Sequence, residues 1–151
     1  MNTVISFYVC SRMLIIPYYK QGKEMELIAI VTVLILIQTI FFGFEVGKAR
    51  GKYNIKAPAV SGNEKFDRHY RIHQNTIEQI IIFIPSLWLF GYFVNVYIAT
   101  ALGVLFFLGR FIFRSAYLKD PASREIGFIM GFLPIAICLL GTLFFVTKSM
   151  L

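Results

Sequence analysis

The pattern of hydrophobic and polar positions divides the chain into long uncharged stretches and short polar connections. The uncharged stretches are residues 27–44, 79–109 and 126–147. As one helix, the second stretch would be roughly 46 Å long, and a bilayer core of about 30 Å does not accept that length without strong tilt. We therefore divide it in two near residues 91–95. The pattern predicts an all-α integral membrane protein, a bundle of four helices without strands.

Turn and cap residues set the predicted helix boundaries. Ser61 is followed three residues later by Glu64, which fits a capping box and starts the second membrane helix near Gly62. Asp120 before Pro121 is typical of a helix N-terminus, so the fourth helix is predicted to start there. Both boundaries lie in polar segments, so polar side chains extend each helix beyond its apolar part.

Composition confines the function to the membrane. Hydrophobic residues make up 58% of the chain and charged residues 15%, whereas soluble domains carry about 25% charged residues. A chain of 151 residues has the length of one domain, which excludes a separate soluble catalytic module. Any chemistry must therefore lie among the helices.

The basic residues are concentrated in two connections. Of the 15 Lys and Arg, seven lie in residues 48–71 and four in residues 110–124. The positive-inside rule places both segments on the cytoplasmic face of a four-span protein. Arg12, Lys20 and Lys23 oppose this orientation but are outnumbered. The net charge of +7 is thus explained by membrane topology, and no nucleic-acid partner is predicted.

Cysteine and histidine spacing predicts no metal site. Cys10 and Cys138 are far apart and form no Cys-x-x-Cys motif. His69 and His73 have the i, i+4 spacing of two helical metal ligands, but Tyr70 stands where a zincin motif requires glutamate. No third ligand is evident nearby, so solvent-facing or interfacial histidines are the preferred interpretation.

A polar stripe enters the second membrane helix. At about 100° per residue, its five members share a face roughly 100° wide. The members are Arg68, Arg71, Asn75, Glu78 and Gln79. Ionisable groups at membrane depth are costly and usually mark a site. Spacing alone leaves two alternatives: a site for a zwitterionic ligand, or a buried polar network that fixes helix register or oligomer contacts.

A second set of polar residues follows the third helix. Arg110, Arg114 and Tyr117 have i, i+4, i+7 spacing, and Arg124 follows near the start of the fourth helix. Arg124 beside a helix N-terminus forms a positive locus suited to an anion or a thiolate. The alternatives are dipole complementation and snorkelling for Arg110 and Arg114, and an anionic-lipid contact for Arg124.

Three motifs together resemble the MAPEG family of small membrane proteins of eicosanoid and glutathione metabolism. They are Phe66-Asp67-Arg68-x-x-Arg71-x-x-x-Asn75-x-x-Glu78, Ala49-Arg50-x-Lys52-Tyr53 with Ala57-Pro58, and Gly109-Arg110 with Tyr117-x-x-Asp120-Pro121-x-x-Arg124. The resemblance covers about residues 26–146. We therefore divide the chain into an N-terminal extension, residues 1–24, and a four-helix domain, residues 25–151.

The resemblance implies a homotrimer that binds glutathione, as co-substrate and without a metal, between neighbouring subunits. The positions implied to hold glutathione are Arg50, Arg71, His73, Asn75, Glu78 and Tyr117. Arg124 is implied to be catalytic, since it matches the arginine that stabilises the glutathione thiolate. Tyr117 and Arg124 are expected to come from a neighbouring subunit. The lipophilic substrate would arrive from the lipid bilayer.

Four positions depart from the pattern of the family's leukotriene-C synthase. Phe113 and Gln79 replace tyrosines, Gly51 replaces an arginine, and His73 replaces a glutamine. The loss of the arginine argues against a dedicated leukotriene-forming enzyme. His73 keeps hydrogen-bonding capacity but adds a group that titrates near neutral pH.

The implied function is a membrane-bound glutathione transferase, or glutathione-dependent peroxidase, acting on lipophilic electrophiles or lipid hydroperoxides. The alternative is a non-enzymatic lipid-binding scaffold of the lipoxygenase-activating type. A small channel or transporter has little support, because the sequence has no inverted repeat and its charges cluster on one side.

Overall fold

The computed structural model describes residues 24–151, which form four long helices and no strand. The helices are α1 (Asn2–Tyr53, described from Glu24 onward), α2 (Glu64–Phe93), α3 (Val96–Lys119) and α4 (Glu125–Met150). Each is long and apolar enough to cross a membrane. The predicted all-α membrane bundle is confirmed, while the proposed extension of residues 1–24 lies outside the described part except for its last residue.

The long apolar stretch is divided where the sequence predicted. Helix α2 ends at Phe93 and α3 begins at Val96, with Asn95 as the N-cap between them. The Asn95 side-chain oxygen accepts a hydrogen bond from the Ile98 amide at 3.0 Å. Asparagine is a strong N-cap residue. The Asn95 side chain therefore starts α3 directly after the turn.

The predicted capping box at Ser61 is wrong. Helix α2 begins at Glu64, and its N-cap is Asn63, whose side-chain oxygen accepts from the amides of Lys65 at 3.0 Å and Phe66 at 3.4 Å. Asparagine and serine are about equally good caps. The cap therefore lies two residues later than the capping box predicted.

The start of the fourth helix also differs from the prediction. Asp120 caps a 3₁₀ turn, Pro121–Arg124, by accepting from the Ala122 amide at 3.0 Å. Helix α4 proper begins only at Glu125. Arg124 therefore lies at the junction of the 3₁₀ turn and α4, rather than within the first turn of α4.

Helices α3 and α4 approach each other closely because glycines lie at their contacts. A Cβ atom at Gly127 would lie 2.3 Å from the Phe113 backbone nitrogen, and one at Gly109 would lie 2.7 Å from Met130 Cβ. Small residues permit this backbone approach in membrane helices, where packing rather than the hydrophobic effect drives association. The Gly127 contact fixes Phe113, which lines the candidate site.

The core between the helices is apolar and aromatic. Phe83 of α2 and Phe106 of α3 stack at 4.1 Å between ring centroids, and both are buried. Large apolar side chains elsewhere on the helices are exposed, among them Ile40, Ile81 and Leu140. A bilayer can cover such surfaces, so the exposed apolar faces agree with an integral membrane protein.

The cap assignment gives the first prediction. Asn63→Ala should lower the free energy of unfolding by about 1 kcal/mol, because two amide donors of α2 lose their acceptor. Ser61→Ala is the matched control and should leave stability unchanged. Thermal unfolding in detergent measures both variants. A larger loss in Ser61→Ala than in Asn63→Ala would restore the capping box.

Candidate functional site

A cavity of about 180 Å³ lies at the polar end of the bundle, where α2, α3 and the start of α4 meet. Its lining residues are Arg71, Asn75, Phe113, Tyr117, Arg124 and Phe128. Four of them, Arg71, Asn75, Tyr117 and Arg124, were predicted as site residues. One chain brings these four together, so the expectation that Tyr117 and Arg124 come from a neighbouring subunit is not supported.

Two arginines give this cavity a positive character. Arg71 of α2 and Arg124 of the 3₁₀ turn both line it, and neither forms an ion pair with any residue in the range 24–151. None of the lining residues is acidic. Two unneutralised guanidinium groups beside one small cavity favour an anionic ligand, because arginine forms strong charge-assisted hydrogen bonds with carboxylates.

Aromatic side chains form the other walls. Phe113 and Tyr117 stack with ring centroids 5.4 Å apart, and the Arg124 guanidinium lies 5.5 Å from the Tyr117 ring centroid. The Tyr117 ring thus supports the guanidinium through a cation–π contact. Tyr117 is only partly buried, which leaves it accessible from the cavity.

The stripe on α2 contains both a cavity face and a buried network. Gln79 is 8% exposed, and its side-chain oxygen accepts from Arg110 Nη1 at 3.2 Å. Asn75 lines the cavity, and its side-chain oxygen accepts from Arg110 Nη2 at 3.0 Å. Spacing alone left open a ligand site or a buried polar network. The buried network describes Gln79, whereas Asn75 belongs to the network and also faces the candidate site.

Arg68 fixes the end of α3. Its Nη1 atom donates to the carbonyl oxygens of Leu118 at 2.9 Å and Lys119 at 3.1 Å, and its Nη2 atom pairs with Glu64 at 2.5 Å. These carbonyls belong to the last turn of α3, which has no further helical donors. Arg68 thereby holds the segment that leads to Arg124.

The three side chains predicted to share one face of α3 each contact a different part of the molecule. Arg114 forms a two-point ion pair with Glu45 of α1, in which Nε donates to Oε2 at 2.6 Å. Arg110 is fully buried against α2, whereas Tyr117 lines the cavity. Snorkelling to headgroups therefore does not describe Arg110 or Arg114, because both guanidinium groups bind side chains of neighbouring helices.

Three predicted binding residues lie outside this cavity. Arg50 donates to the Ala59 carbonyl at 2.7 Å and lies over the Phe66 ring. His73 faces α1, where a Cβ at Gly43 would lie 3.3 Å from its Nε2 atom. Glu78 is exposed on α2.

A single chain thus does not bring Arg50, His73 and Glu78 to the lining of the cavity. For Arg50 and His73 the reason is their position, since both lie on the surface where α2 meets α1. Their role in binding stays a prediction that requires a second copy of the chain.

Metal-ligating groups are sparse in the described structure. Within residues 24–151 no three His, Cys, Asp or Glu side chains come together, and Cys138 is a buried free thiol. His69 lines a separate small cavity with Glu45 and Lys52. Cys10 lies outside the described residues.

Sequence reasoning missed two residues of this region. Phe128 lines the cavity, and Thr76 accepts two hydrogen bonds from the buried Arg110. A signal for Phe128 existed, because it follows Arg124 by four residues and i, i+4 side chains share a helix face. Thr76 had no comparable signal, since a threonine inside a membrane helix usually bonds to its own backbone.

The chain is similar in sequence to known proteins of one family. The MAPEG family model matches residues 28–144. The chain is 39% identical over 102 residues to microsomal glutathione S-transferase 2 of Homo sapiens, covering 68% of this chain and 69% of that protein. It is 37% identical over 115 residues to an uncharacterized protein of Synechocystis, covering 76% and 84%. Leukotriene C4 synthase of Rattus norvegicus is 28% identical over 102 residues, 68% of each chain. This protein is an integral membrane protein that belongs to the MAPEG family.

Proposed function

We propose that this protein is a membrane-bound glutathione transferase that conjugates glutathione to lipophilic electrophiles and, with the same thiolate, reduces lipid hydroperoxides. One observation carries the proposal: Arg71 and Arg124 meet at a cavity lined by no acidic side chain. Relatives named microsomal glutathione S-transferase 2 support the choice of glutathione over other anions. The proposed site faces the cytoplasm, in agreement with the clustering of basic residues in residues 48–71 and 110–124.

The charges of the cavity suit the groups of glutathione. Glutathione carries two carboxylates, an amine and a thiol. Arg71 can pair with a carboxylate, and Asn75, one turn away on α2, can donate to a neighbouring oxygen. Glu78 lies a further turn along α2 and can bind the amine. This arrangement leaves Arg124 for the sulfur.

Arg124 supplies the activation. The thiolate is the nucleophilic form of a thiol, and a nearby cation lowers the thiol pKa. Arg124 is held by the Tyr117 ring at the end of the Asp120-capped turn, so its charge is available without an acidic partner in the described structure. The thiol proton leaves to water as the guanidinium stabilises the sulfur.

Two reactions follow from one thiolate. With an electrophile that carries a leaving group, a carbon–sulfur bond forms and the leaving group departs with its electron pair. With a hydroperoxide, the sulfur takes the terminal oxygen, the O–O bond breaks and an alcohol is released after protonation. A second glutathione then converts the oxidised sulfur to a disulfide and water. Phe128, exposed on α4, offers the lipophilic substrate an apolar approach from the bilayer.

The cavity of a single chain is smaller than a complete ligand site. Its volume is about 180 Å³, whereas ligand pockets usually measure about 300–1,000 Å³. A neighbouring subunit of a homotrimer would supply the remainder. Arg50 and His73 lie outside the cavity of their own chain, so they are the residues proposed to complete the site of a neighbour.

A lipid-binding scaffold is the second candidate, and one feature favours it. A groove of about 400 Å³ between α2 and α4 is lined by apolar side chains, including Leu89, Leu139 and Leu143. Such a groove can hold an acyl chain whether or not a thiolate forms. Binding of a fatty acid by a protein that never ionises glutathione would favour the scaffold.

The activation step gives a direct prediction. Mixing purified protein with glutathione in a stopped-flow instrument should produce the ultraviolet absorbance of a thiolate, and Arg124→Ala should abolish it. Lys119→Ala removes the same charge nearby without touching the cavity lining, so it should retain the signal. Turnover with chlorodinitrobenzene or an organic hydroperoxide should follow the thiolate. Absence of both glutathione binding and turnover in the native protein would exclude the proposed function.

The assignment of the carboxylates gives another prediction. Glu78→Ala should raise the glutathione dissociation constant more than Glu64→Ala. Glu78 lies one turn beyond the cavity residue Asn75 and is proposed to bind the amine, whereas Glu64 is paired with Arg68 at the start of α2. Losing one charged hydrogen bond should raise the constant about tenfold. Equilibrium dialysis with labelled glutathione measures both variants. Equal effects would remove Glu78 from the site.

A further inference from the structure

The side chain of Arg110 is a buried charge without an acidic partner. It is 0% exposed, and among residues 24–151 it takes part in no ion pair. A buried charge is costly unless polar groups compensate it, and inside a membrane such residues are usually functional. The five N–H donors of the buried guanidinium therefore need acceptors within the protein.

Among residues 24–151, the Arg110 side chain donates its hydrogen bonds to neutral oxygens of α2. Nε and Nη2 donate to Thr76 Oγ1 at 3.2 Å and 2.8 Å. Nη1 donates to Gln79 Oε1 at 3.2 Å, and Nη2 also donates to Asn75 Oδ1 at 3.0 Å. The guanidinium carbon lies 4.4 Å from the ring centroid of Phe113. Arg110 thus touches two residues of the cavity lining, Asn75 and Phe113, without lining the cavity itself.

The direction of the Asn75 amide follows from this contact. A guanidinium group has donors and no acceptor, so the atom of Asn75 that meets Arg110 must be the side-chain oxygen. The amide nitrogen, with two N–H donors, is then left for the cavity. Asn75 can therefore donate a hydrogen bond to a ligand through its amide nitrogen, while its side-chain oxygen is turned towards Arg110.

We propose that Arg110 is a positioning residue that holds Asn75 by its oxygen and presents the Asn75 amino group to an acceptor oxygen of the bound ligand, a carboxylate or an amide carbonyl. The naming of that ligand as glutathione rests on the function proposed above. The orientation of Asn75 by Arg110 is independent of it.

Helix α4 closes the network from the other side. A Cβ at Gly131 would lie 2.7 Å from Gln79 Oε1 and 3.6 Å from Arg110 Nη1. The glycine therefore leaves room for Gln79 beneath Arg110, and the buried guanidinium keeps a fixed position. A fixed guanidinium gives Asn75 a fixed orientation, which lowers the entropic cost of ligand binding.

A pair of amide-to-acid substitutions tests the direction of the donor. Asn75→Asp and Gln79→Glu each give Arg110 one carboxylate partner, but only Asn75 lines the cavity. Asn75→Asp should raise the glutathione dissociation constant at least about tenfold, since both side-chain oxygens are then acceptors. Gln79→Glu should have a clearly smaller effect. Equal weakening would mean that the charge of Arg110 matters rather than the orientation of Asn75, and would overturn the proposal.

A double-mutant cycle tests whether Arg110 acts through Asn75. Arg110→Met and Asn75→Ala should each raise the dissociation constant of glutathione. The dissociation constant of the double variant should not exceed the larger of the two single-variant values. Arg110→Lys, which keeps donors and charge, should recover part of the affinity lost in Arg110→Met. Effects of the two single changes that simply multiply in the double variant would show independent roles and reject the proposal.

The same cycle without ligand separates this proposal from the proposed function. If the native protein does not bind glutathione, the function fails, yet the melting temperatures of ligand-free Arg110→Met, Asn75→Ala and the double variant should still be non-additive. If Arg110→Met does not fold, Arg110→Lys replaces it in the cycle. Additive shifts in melting temperature would overturn the positioning role, whatever the ligand is.

Discussion

A guanidinium group buried between α2 and α3 is the constraint on which the polar end of this bundle depends. Because Arg110 is fully buried, its guanidinium needs polar partners, and Thr76, Gln79 and Asn75 all face it. These contacts fix the rotation of α2 relative to α3. Arg71, one turn before Asn75, is carried to the cavity by the same rotation. A network that satisfies a buried charge therefore also aligns the residues proposed to bind the ligand.

Four arginines at this end of the molecule fall into two electrostatic groups. Arg68 pairs with Glu64 and Arg114 with Glu45, and both connect helices or helix ends. Arg71 and Arg124 have no such acidic partner within the described residues and share the cavity. Of these four arginines, the two paired ones hold the scaffold, and the two without an acidic partner leave a positive potential where an anion can bind. An arginine without a carboxylate partner stabilises a thiolate more strongly, since a carboxylate would offset part of its positive charge.

The sequence predicted the number of helices and the break between α2 and α3, because both depend on the local pattern of apolar residues along the chain. Uncharged stretches of span length predicted the helices, and the excess length of residues 79–109 predicted the break near residues 91–95. The boundary at Asn63 was missed because Ser61, two residues earlier, is by residue type an equally good cap. A helical wheel likewise placed Gln79 and Arg71 on one face. It carried no information on depth, so it did not separate a buried side chain from one that lines a cavity.

The region where α1 meets α2 carries the residues least explained by a single chain. Arg50 binds the loop carbonyl of Ala59, and His73 lies against Gly43, so neither points to the cavity of its own subunit. If their only role were structural, smaller neutral residues could fill these positions at less cost in desolvation. In the homotrimer proposed above, partly exposed polar groups at the edge of the bundle have a different use. They would reach a ligand held by Arg71 and Arg124 of a neighbouring subunit, so that binding and assembly would each strengthen the other.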